Sequence, residues 1–131
     1  MSRQSAILLL SSDTFARADA ADYLERCGYD VLQAKDGNQA EEVLRTRRGV
    51  NVLVTQVEYG DEIGGLAVAK TARSLNEKIV VVYASSTPNS IPEREKVSNA
   101  PSIRAPYSPR QIAALNAHMK QQPTLTASAS Y

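Results

Sequence analysis

The stretch VLVTQVEYGDEIGGL, which runs from Val52 to Leu66, leads from an apolar segment into a polar loop. The apolar part shows no alternation, which is typical of a strand that is buried on both faces of a parallel sheet. The first polar residue at the end of this strand is Gln56. In open parallel sheets the functional site lies outside the carboxyl ends of the strands. The side chain at this position therefore bears directly on the chemistry that the protein can perform.

Apolar runs of strand length recur along the chain on both sides of this stretch. They are AILLL from Ala6, YDVLQA from Tyr29 and KIVVVYA from Lys78. Helix-length segments separate the runs, and their apolar residues recur at helical spacing. The three apolar sets are Phe15, Ala18, Ala21 and Leu24, then Ala40, Val43 and Leu44, then Leu66, Ala69 and Ala72. Because parallel neighbours need crossover connections, strands that alternate with helices in this way predict an α/β fold with a parallel sheet.

The C-terminal part repeats the pattern in SIRAPYSPRQIAALNAHMK, which predicts a strand at residues 102–104 and then a helix. Ser108 as N-cap, Pro109 at the first position and Gln111 in a capping box mark the start of that helix. The preceding segment, residues 86–101, contains three prolines and leaves room for about two turns of helix at most. The fourth crossover is therefore expected to be a loop or a helical stub.

The composition fits one small domain. The chain has 131 residues, 43% of them hydrophobic, and we expect a single domain over residues 1–121 with a tail at 122–131. A single cysteine and the lack of a long apolar segment favour a cytoplasmic protein without a membrane span. With 15 basic and 14 acidic residues and no tryptophan, nucleic-acid binding is not expected. The densest basic patch, at Arg45, Arg47 and Arg48, is interpreted as a solvated helix end.

Five segments resemble the receiver domains of two-component response regulators, and the likeness extends from about Ala6 to Met119. They are ILLLSSDTFAR, GYDVLQAKDG, VLVTQVEYGDEIGGL, IVVVYAS and RAPYSP. The resemblance implies the flavodoxin-like (CheY-like) fold, a doubly wound five-stranded parallel sheet with strand order 2-1-3-4-5. Relative to that fold, the fourth helix is expected to be shortened or absent.

The phosphorylation residues that receivers carry are missing from this sequence. The positions that the resemblance assigns to the acidic pair, the phosphoacceptor aspartate, the threonine or serine and the lysine hold Ser11, Ser12, Gln56, Tyr83 and Ala105. An amide is not a nucleophile for acyl-phosphate formation, and hydroxyls and an amide bring no charge to a divalent cation. Without a lysine, a phosphoryl group would also lack its cationic partner. We therefore expect no phosphorylation, no metal or cofactor, and no enzymatic activity.

Two further expectations concern single residues near this degenerate pocket. Because Tyr83 is much larger than threonine, its ring either fills the phosphoryl space, with its hydroxyl bonded to Gln56 or Ser12, or points outward from an eroded site. The resemblance also implies a cis peptide bond between Ala105 and Pro106, and a small residue before proline tolerates that form.

Taken with the resemblance, these features predict an atypical response regulator that binds a protein without being phosphorylated, either a sensor kinase or another regulator. Candidate contact residues are Ile91, Val97, Ser102 and Tyr107, although local packing explains each of them equally well. A missing helix would expose sheet that a second copy could cover, so a homodimer is also expected. Two alternatives are a small-ligand sensor that uses the strand-end crevice and a receiver phosphorylated at a relocated acid, for which Glu58 is best placed.

Overall fold

The computed structural model describes residues 6–58 and 64–114. The strands are β1 (Ala6–Leu10), β2 (Asp30–Ala34), β3 (Val50–Gln56), β4 (Val80–Ser85) and β5 (Ser102–Arg104). The helices are α1 (Thr14–Arg26), α2 (Gly37–Thr46), α3 (Gly65–Leu75) and α4, which begins at residue 109 and is described as far as 114. The predicted tail at 122–131 lies outside the described residues. No helix in the described ranges is long and apolar enough to cross a membrane.

The five strands form one parallel sheet in the order β2-β1-β3-β4-β5. This confirms the predicted fold class and strand order. The order reverses direction between β1 and β3, so the carboxyl ends of these two strands meet at the switch point where open α/β sheets place their sites. Ser11 follows β1 at this point, and Gln56 is the last residue of β3.

Apolar side chains cover the two faces of the sheet as two separate core clusters. Helices α2 and α3 pack on one face, where the buried set includes Leu8, Leu53, Val81 and Tyr83. Helix α1 and the start of α4 pack on the other face, over Ile7, Leu9, Val54 and Ala84. Because the strands are buried on both faces, they appear in the sequence as unbroken apolar runs.

Two predicted core positions on α1 are wrong, because Ala18 is exposed as well as Phe15. Phe15 was expected on the buried stripe of α1, but its side chain is 88% exposed, while Ala20, Ala21 and Leu24 are buried. Asp13 is the N-cap of this helix and accepts a hydrogen bond from the Ala16 backbone N–H at 3.0 Å. The face of α1 that packs on the sheet is the one that carries Ala20, Ala21 and Leu24, and Phe15 does not lie on it.

The fourth crossover contains two short 3-10 turns, Pro88–Ser90 and Glu93–Glu95, in place of an α-helix. This confirms the prediction of a shortened or absent fourth helix. Arg73 of α3 holds the segment down by donating hydrogen bonds to the carbonyl oxygens of Ile79 and Ser98, both at 2.8 Å. The loop that results, residues 86–101, covers the edge of the core where the helix would otherwise pack.

Candidate functional site

A crevice of about 360 Å³ lies at the carboxyl end of the sheet, among the described residues. The residues after β1, the end of β3, the end of β4 and the connection from β5 to α4 form its walls. Most of the wall is apolar and is made by Leu10, Ala16, Ala84, Ala105 and Pro106. The crevice therefore occupies the position that the fold predicts for a functional site.

Both polar side-chain atoms of Gln56 form hydrogen bonds with neighbouring groups at this edge of the sheet. Its side-chain oxygen accepts hydrogen bonds from the Ser12 backbone N–H at 2.7 Å and from the Ser12 hydroxyl at 3.3 Å. Its side-chain nitrogen donates to the carboxylate of Glu58 at 2.5 Å. The amide therefore bridges the loop after β1 and the end of β3 directly, and each of its two polar atoms has a hydrogen-bond partner.

Ser11 makes local contacts at the start of α1. Its hydroxyl accepts a hydrogen bond from the Asp13 backbone N–H at 3.1 Å. Its carbonyl oxygen accepts one from the guanidinium of Arg17 at 2.6 Å. The loop after β1 is therefore held by neighbouring groups of α1, with the cationic side chain of Arg17 among them.

The charge of the crevice is negative. Asp13, Asp19 and Glu58 line it, and no basic side chain does so within residues 6–58 and 64–114. A phosphoryl group placed there would meet like charges without a cationic partner. The same described ranges contain no group of three or more histidine, cysteine, aspartate or glutamate side chains that could hold a metal ion.

Tyr83 does not belong to this crevice, which corrects both sequence-based alternatives for it. The side chain is completely buried on the α2–α3 face of the sheet, and its hydroxyl accepts a hydrogen bond from the Val97 backbone N–H at 2.8 Å. The residue paired in register with Gln56 is Ala84, which lines the crevice together with Ser86. Tyr83 therefore neither fills the phosphoryl space nor points outward.

The four candidate contact residues do not form one surface. Ile91 is 8% exposed and belongs to the α2–α3 core, against which the half-buried Val97 also packs. Tyr107 packs on the α1–α4 core and lines the crevice, and burial raises the pKa of its hydroxyl. The prediction of Ile91 as a surface contact is wrong, because the loop that replaces the fourth helix needs an apolar anchor.

Ser102 is half-buried, and its hydroxyl oxygen has no hydrogen-bond partner among the residues that the structure describes. Pro106 follows a cis peptide bond from Ala105, in agreement with the expectation. Ala105 lines the crevice, and its backbone N–H donates to the Ser85 carbonyl at 2.8 Å. The connection from β5 thus reaches the crevice, where Ala105 contributes a methyl group to the wall.

Replacing Ser102 by alanine is expected to leave the free energy of unfolding unchanged or to raise it by up to about 1 kcal/mol, because a desolvated hydroxyl without a partner is lost. Ser85 provides the matched control, since its buried hydroxyl accepts a hydrogen bond from the Thr87 backbone N–H at 3.0 Å. Ser85→Ala is expected to cost about 1 kcal/mol. Urea unfolding of both variants measures the difference, and an equal loss in the two would contradict the account of Ser102.

The parallel sheet, its strand order and the crevice at its carboxyl edge define the CheY-like fold of receiver domains. The chain is similar to the crystal structure of the receiver domain from the hybrid histidine kinase CckA, at 24% identity and a TM-score of 0.70, over 90% of this chain and 98% of that one. It is also similar to the chemotaxis protein CheY4 from Vibrio cholerae, at 18% identity and a TM-score of 0.76, over 88% and 98%.

A third similar structure is the response regulator receiver protein from Sinorhizobium medicae WSM419, at 22% identity and a TM-score of 0.68, over 84% of this chain and 89% of that one. No protein-family model matches the sequence, and a search of curated proteins finds no significant match. At these identities the likeness establishes the fold, and the chemistry of the site rests on the residues of this chain.

Proposed function

We propose that this chain is a receiver-like module of a two-component pathway that regulates by binding a protein and is not phosphorylated. The observation that carries the proposal is the hydrogen-bonded bridge between Gln56 and Ser12. In a receiver the phosphoacceptor carboxylate and the metal-binding acids occupy these two places, and both must be charged and accessible. Here the two positions are neutral and bound to each other.

The physical consequence is a contact between the ends of β1 and β3 that forms without a bound cation. Carboxylates at these two positions would repel one another until a cation binds. Gln56 and Ser12 are neutral, and they hydrogen-bond to each other without metal or phosphate. The module therefore holds one conformation irrespective of phosphodonor, which suits a constitutive docking function. A sensor kinase or another regulator in the cytoplasm is the proposed partner, and no catalytic activity is proposed for the chain itself.

A phosphodonor assay tests this proposal. The purified chain is incubated with acetyl phosphate and Mg²⁺, and its intact mass is expected to remain unchanged. The matched positive control is the variant Ser12→Asp/Gln56→Asp/Ala105→Lys, which restores a metal-binding acid, a nucleophile and a cation, and which is expected to gain one phosphoryl group. A mass gain in the wild-type chain would refute the proposal. If the mass gain were lost in the variant Glu58→Gln, the protein would instead be a receiver that is phosphorylated at a relocated acid.

The second candidate function, a small-ligand sensor, is favoured by the crevice itself. Its volume of about 360 Å³ suits a small molecule, and its three carboxylates favour an organic cation over a nucleotide. Thermal unfolding with spermidine and with ATP distinguishes the two functions, because a bound ligand raises the midpoint. A rise with spermidine that is lost in Asp19→Asn would support the sensor, and no shift with either compound would support the docking module.

The proposed homodimer has less support than the docking function. It was expected to use the face exposed by the shortened fourth helix, but the 86–101 loop covers that face and Ile91 is buried beneath it. A second copy would therefore have to contact the loop rather than bare sheet. Light scattering across a range of protein concentrations measures this directly.

A further inference from the structure

A second concavity lies at the edge of the sheet opposite the crevice, between the C-terminal ends of α2 and α3. Its volume is about 490 Å³. We call it the basic hollow and define it by Leu44, Arg45, Arg47, Arg48, Leu75 and Asn76. Buried residues of the α2–α3 core, Val50 and Ile79 among them, form its floor. The hollow is therefore a built feature of the fold and is separate from the degenerate phosphoacceptor site.

Its three arginines differ in how they are used by the fold. Arg45, in the last turn of α2, forms an ion pair with Glu41 at 3.4 Å. Arg47 and Arg48 follow the end of the helix, and both are exposed. Neither of these two side chains makes an ion pair or hydrogen bond within residues 6–58 and 64–114. Two guanidinium groups at the rim are therefore available to an external partner.

Stabilisation of the helix ends accounts for only part of this charge. The C-terminus of a helix carries roughly half a negative charge, and its effect fades within the last turn. Arg45 already lies in that turn. Arg47 closes α2 through its backbone, whose N–H donates to the Val43 carbonyl at 2.8 Å, while its side chain is left outside the helix. The side chains of Arg47 and Arg48 are therefore not needed to cap the C-terminal end of α2.

An exposed leucine lies on the other side of the same hollow. Leu75 is 52% exposed, and Phe15 is the other large apolar side chain exposed in the described part of the chain. A concave site with a cationic rim and an aliphatic wall matches a segment that presents carboxylates beside an aliphatic side chain. Nucleic acid fits less well, because none of the described residues that line the hollow is aromatic and able to stack on a base, and Glu41 lies beside Arg45.

We propose that the basic hollow binds an acidic segment of a partner protein, with carboxylates on Arg47 and Arg48 and an aliphatic side chain against Leu75. A guanidinium group can form a bidentate pair with a carboxylate. Arg47 and Arg48 could therefore both orient the acidic segment and contribute to its affinity. The inference rests on the proposed function in that it names where the partner docks. The binding experiment uses no phosphodonor, so its failure and a failure of the phosphorylation assay are distinguishable.

The test uses the full chain and a fluorescein-labelled peptide of sequence Glu-Leu-Asp-Glu-Leu-Glu, followed by fluorescence anisotropy. Saturable binding is expected at about 50 mM salt and should weaken at about 300 mM, because rim charges are screened. The double variant Arg47→Gln/Arg48→Gln is expected to bind at least tenfold more weakly. Leu75→Ser is expected to weaken binding separately, without changing the salt dependence.

The matched control is Arg94→Gln/Arg110→Gln, which removes the same charge from exposed positions outside the hollow. It is expected to bind the peptide like the wild type, and circular dichroism checks that all variants are folded. Absence of saturable binding, or an equal loss in both double variants, would overturn the proposal. Tighter binding of a single-stranded DNA oligonucleotide through the same arginines would overturn it in favour of nucleic acid. Self-association that Arg47→Gln/Arg48→Gln abolishes would overturn it in favour of a second copy.

Discussion

Replacing Tyr83 by alanine is expected to lower the free energy of unfolding by about 3–5 kcal/mol, the range for truncating a large aromatic residue in a core. The ring has no exposed surface and packs among residues of the α2–α3 cluster. Its hydroxyl holds the Val97 backbone N–H, and the ammonium group of Lys96 lies 5.8 Å from the ring centre. Removing the ring would leave a cavity and would also remove one of the contacts that hold the 86–101 loop, beside those of Arg73 and Ile91.

Two comparisons separate the contributions of Tyr83. Tyr83→Phe keeps the ring and leaves the Val97 N–H without its acceptor, so a loss of about 1 kcal/mol is expected. Phe15→Ala, at a side chain that is 88% exposed, is expected to change stability by less than about 0.5 kcal/mol. Urea unfolding followed by circular dichroism measures all three variants. If Tyr83→Ala cost no more than Phe15→Ala, the loop would not depend on this ring.

The fold could be predicted from the sequence because its signals are local. Uninterrupted apolar runs mark doubly covered strands, and the prolines between residues 86 and 101 exclude a long helix there. Phe15 shows the limit of such reasoning. Its three-residue spacing from Ala18 fits a buried stripe, but the orientation of α1 on the sheet is set by the packing of Ala20, Ala21 and Leu24.

Part of the site could be predicted and part could not. The length of the apolar run that begins at Val52 places Gln56 at the end of β3. The position of Asp13 before the first helical segment indicates that it caps the helix. Which residue of β4 lies beside Gln56 depends on the pairing register, which is a long-range property. Tyr83 and Ala84 point to opposite faces of the sheet. Because β4 shows no polar alternation between Val80 and Ala84, its sequence does not distinguish the two faces.

The direct bond between Gln56 and Ser12 was also beyond sequence reasoning. Both residues could be placed at adjacent strand ends, yet the partner of each polar atom depends on distances between loops. That Gln56 and Ser12 are neutral could be read from the residue types alone. The contribution of the structure is that these two neutral side chains bond to one another between the ends of β1 and β3.

Gly65→Ala is expected to lower the free energy of unfolding by about 3 kcal/mol, at the upper end of the range for overpacked cores. It should be among the most damaging additions of a single methyl group in the chain. A Cβ built on Gly65 would lie 1.9 Å from the Gln56 carbonyl oxygen and 2.9 Å from the Thr55 hydroxyl. The nearest obstacle is backbone, which no side-chain rotation can relieve. Helix α3 would have to move away from β3, breaking the 3.0 Å hydrogen bond that Thr55 donates to the Gly65 carbonyl.

Gly64→Ala is the matched control for this prediction, because it adds the same methyl group one residue earlier. Gly64 has φ of +74°, and no residue that the structure describes comes within 4 Å of the added Cβ. The expected loss of about 1 kcal/mol therefore reflects the strain of a left-handed conformation. Urea unfolding measures both variants, and the side-chain amide resonances of Gln56 report whether the bridge to Ser12 moves with α3. Since the helix starts directly against the residue that forms the bridge, displacement in Gly65→Ala and not in Gly64→Ala is the expected result. Equal losses, with unchanged Gln56 resonances in both variants, would show that α3 is not seated on the end of β3.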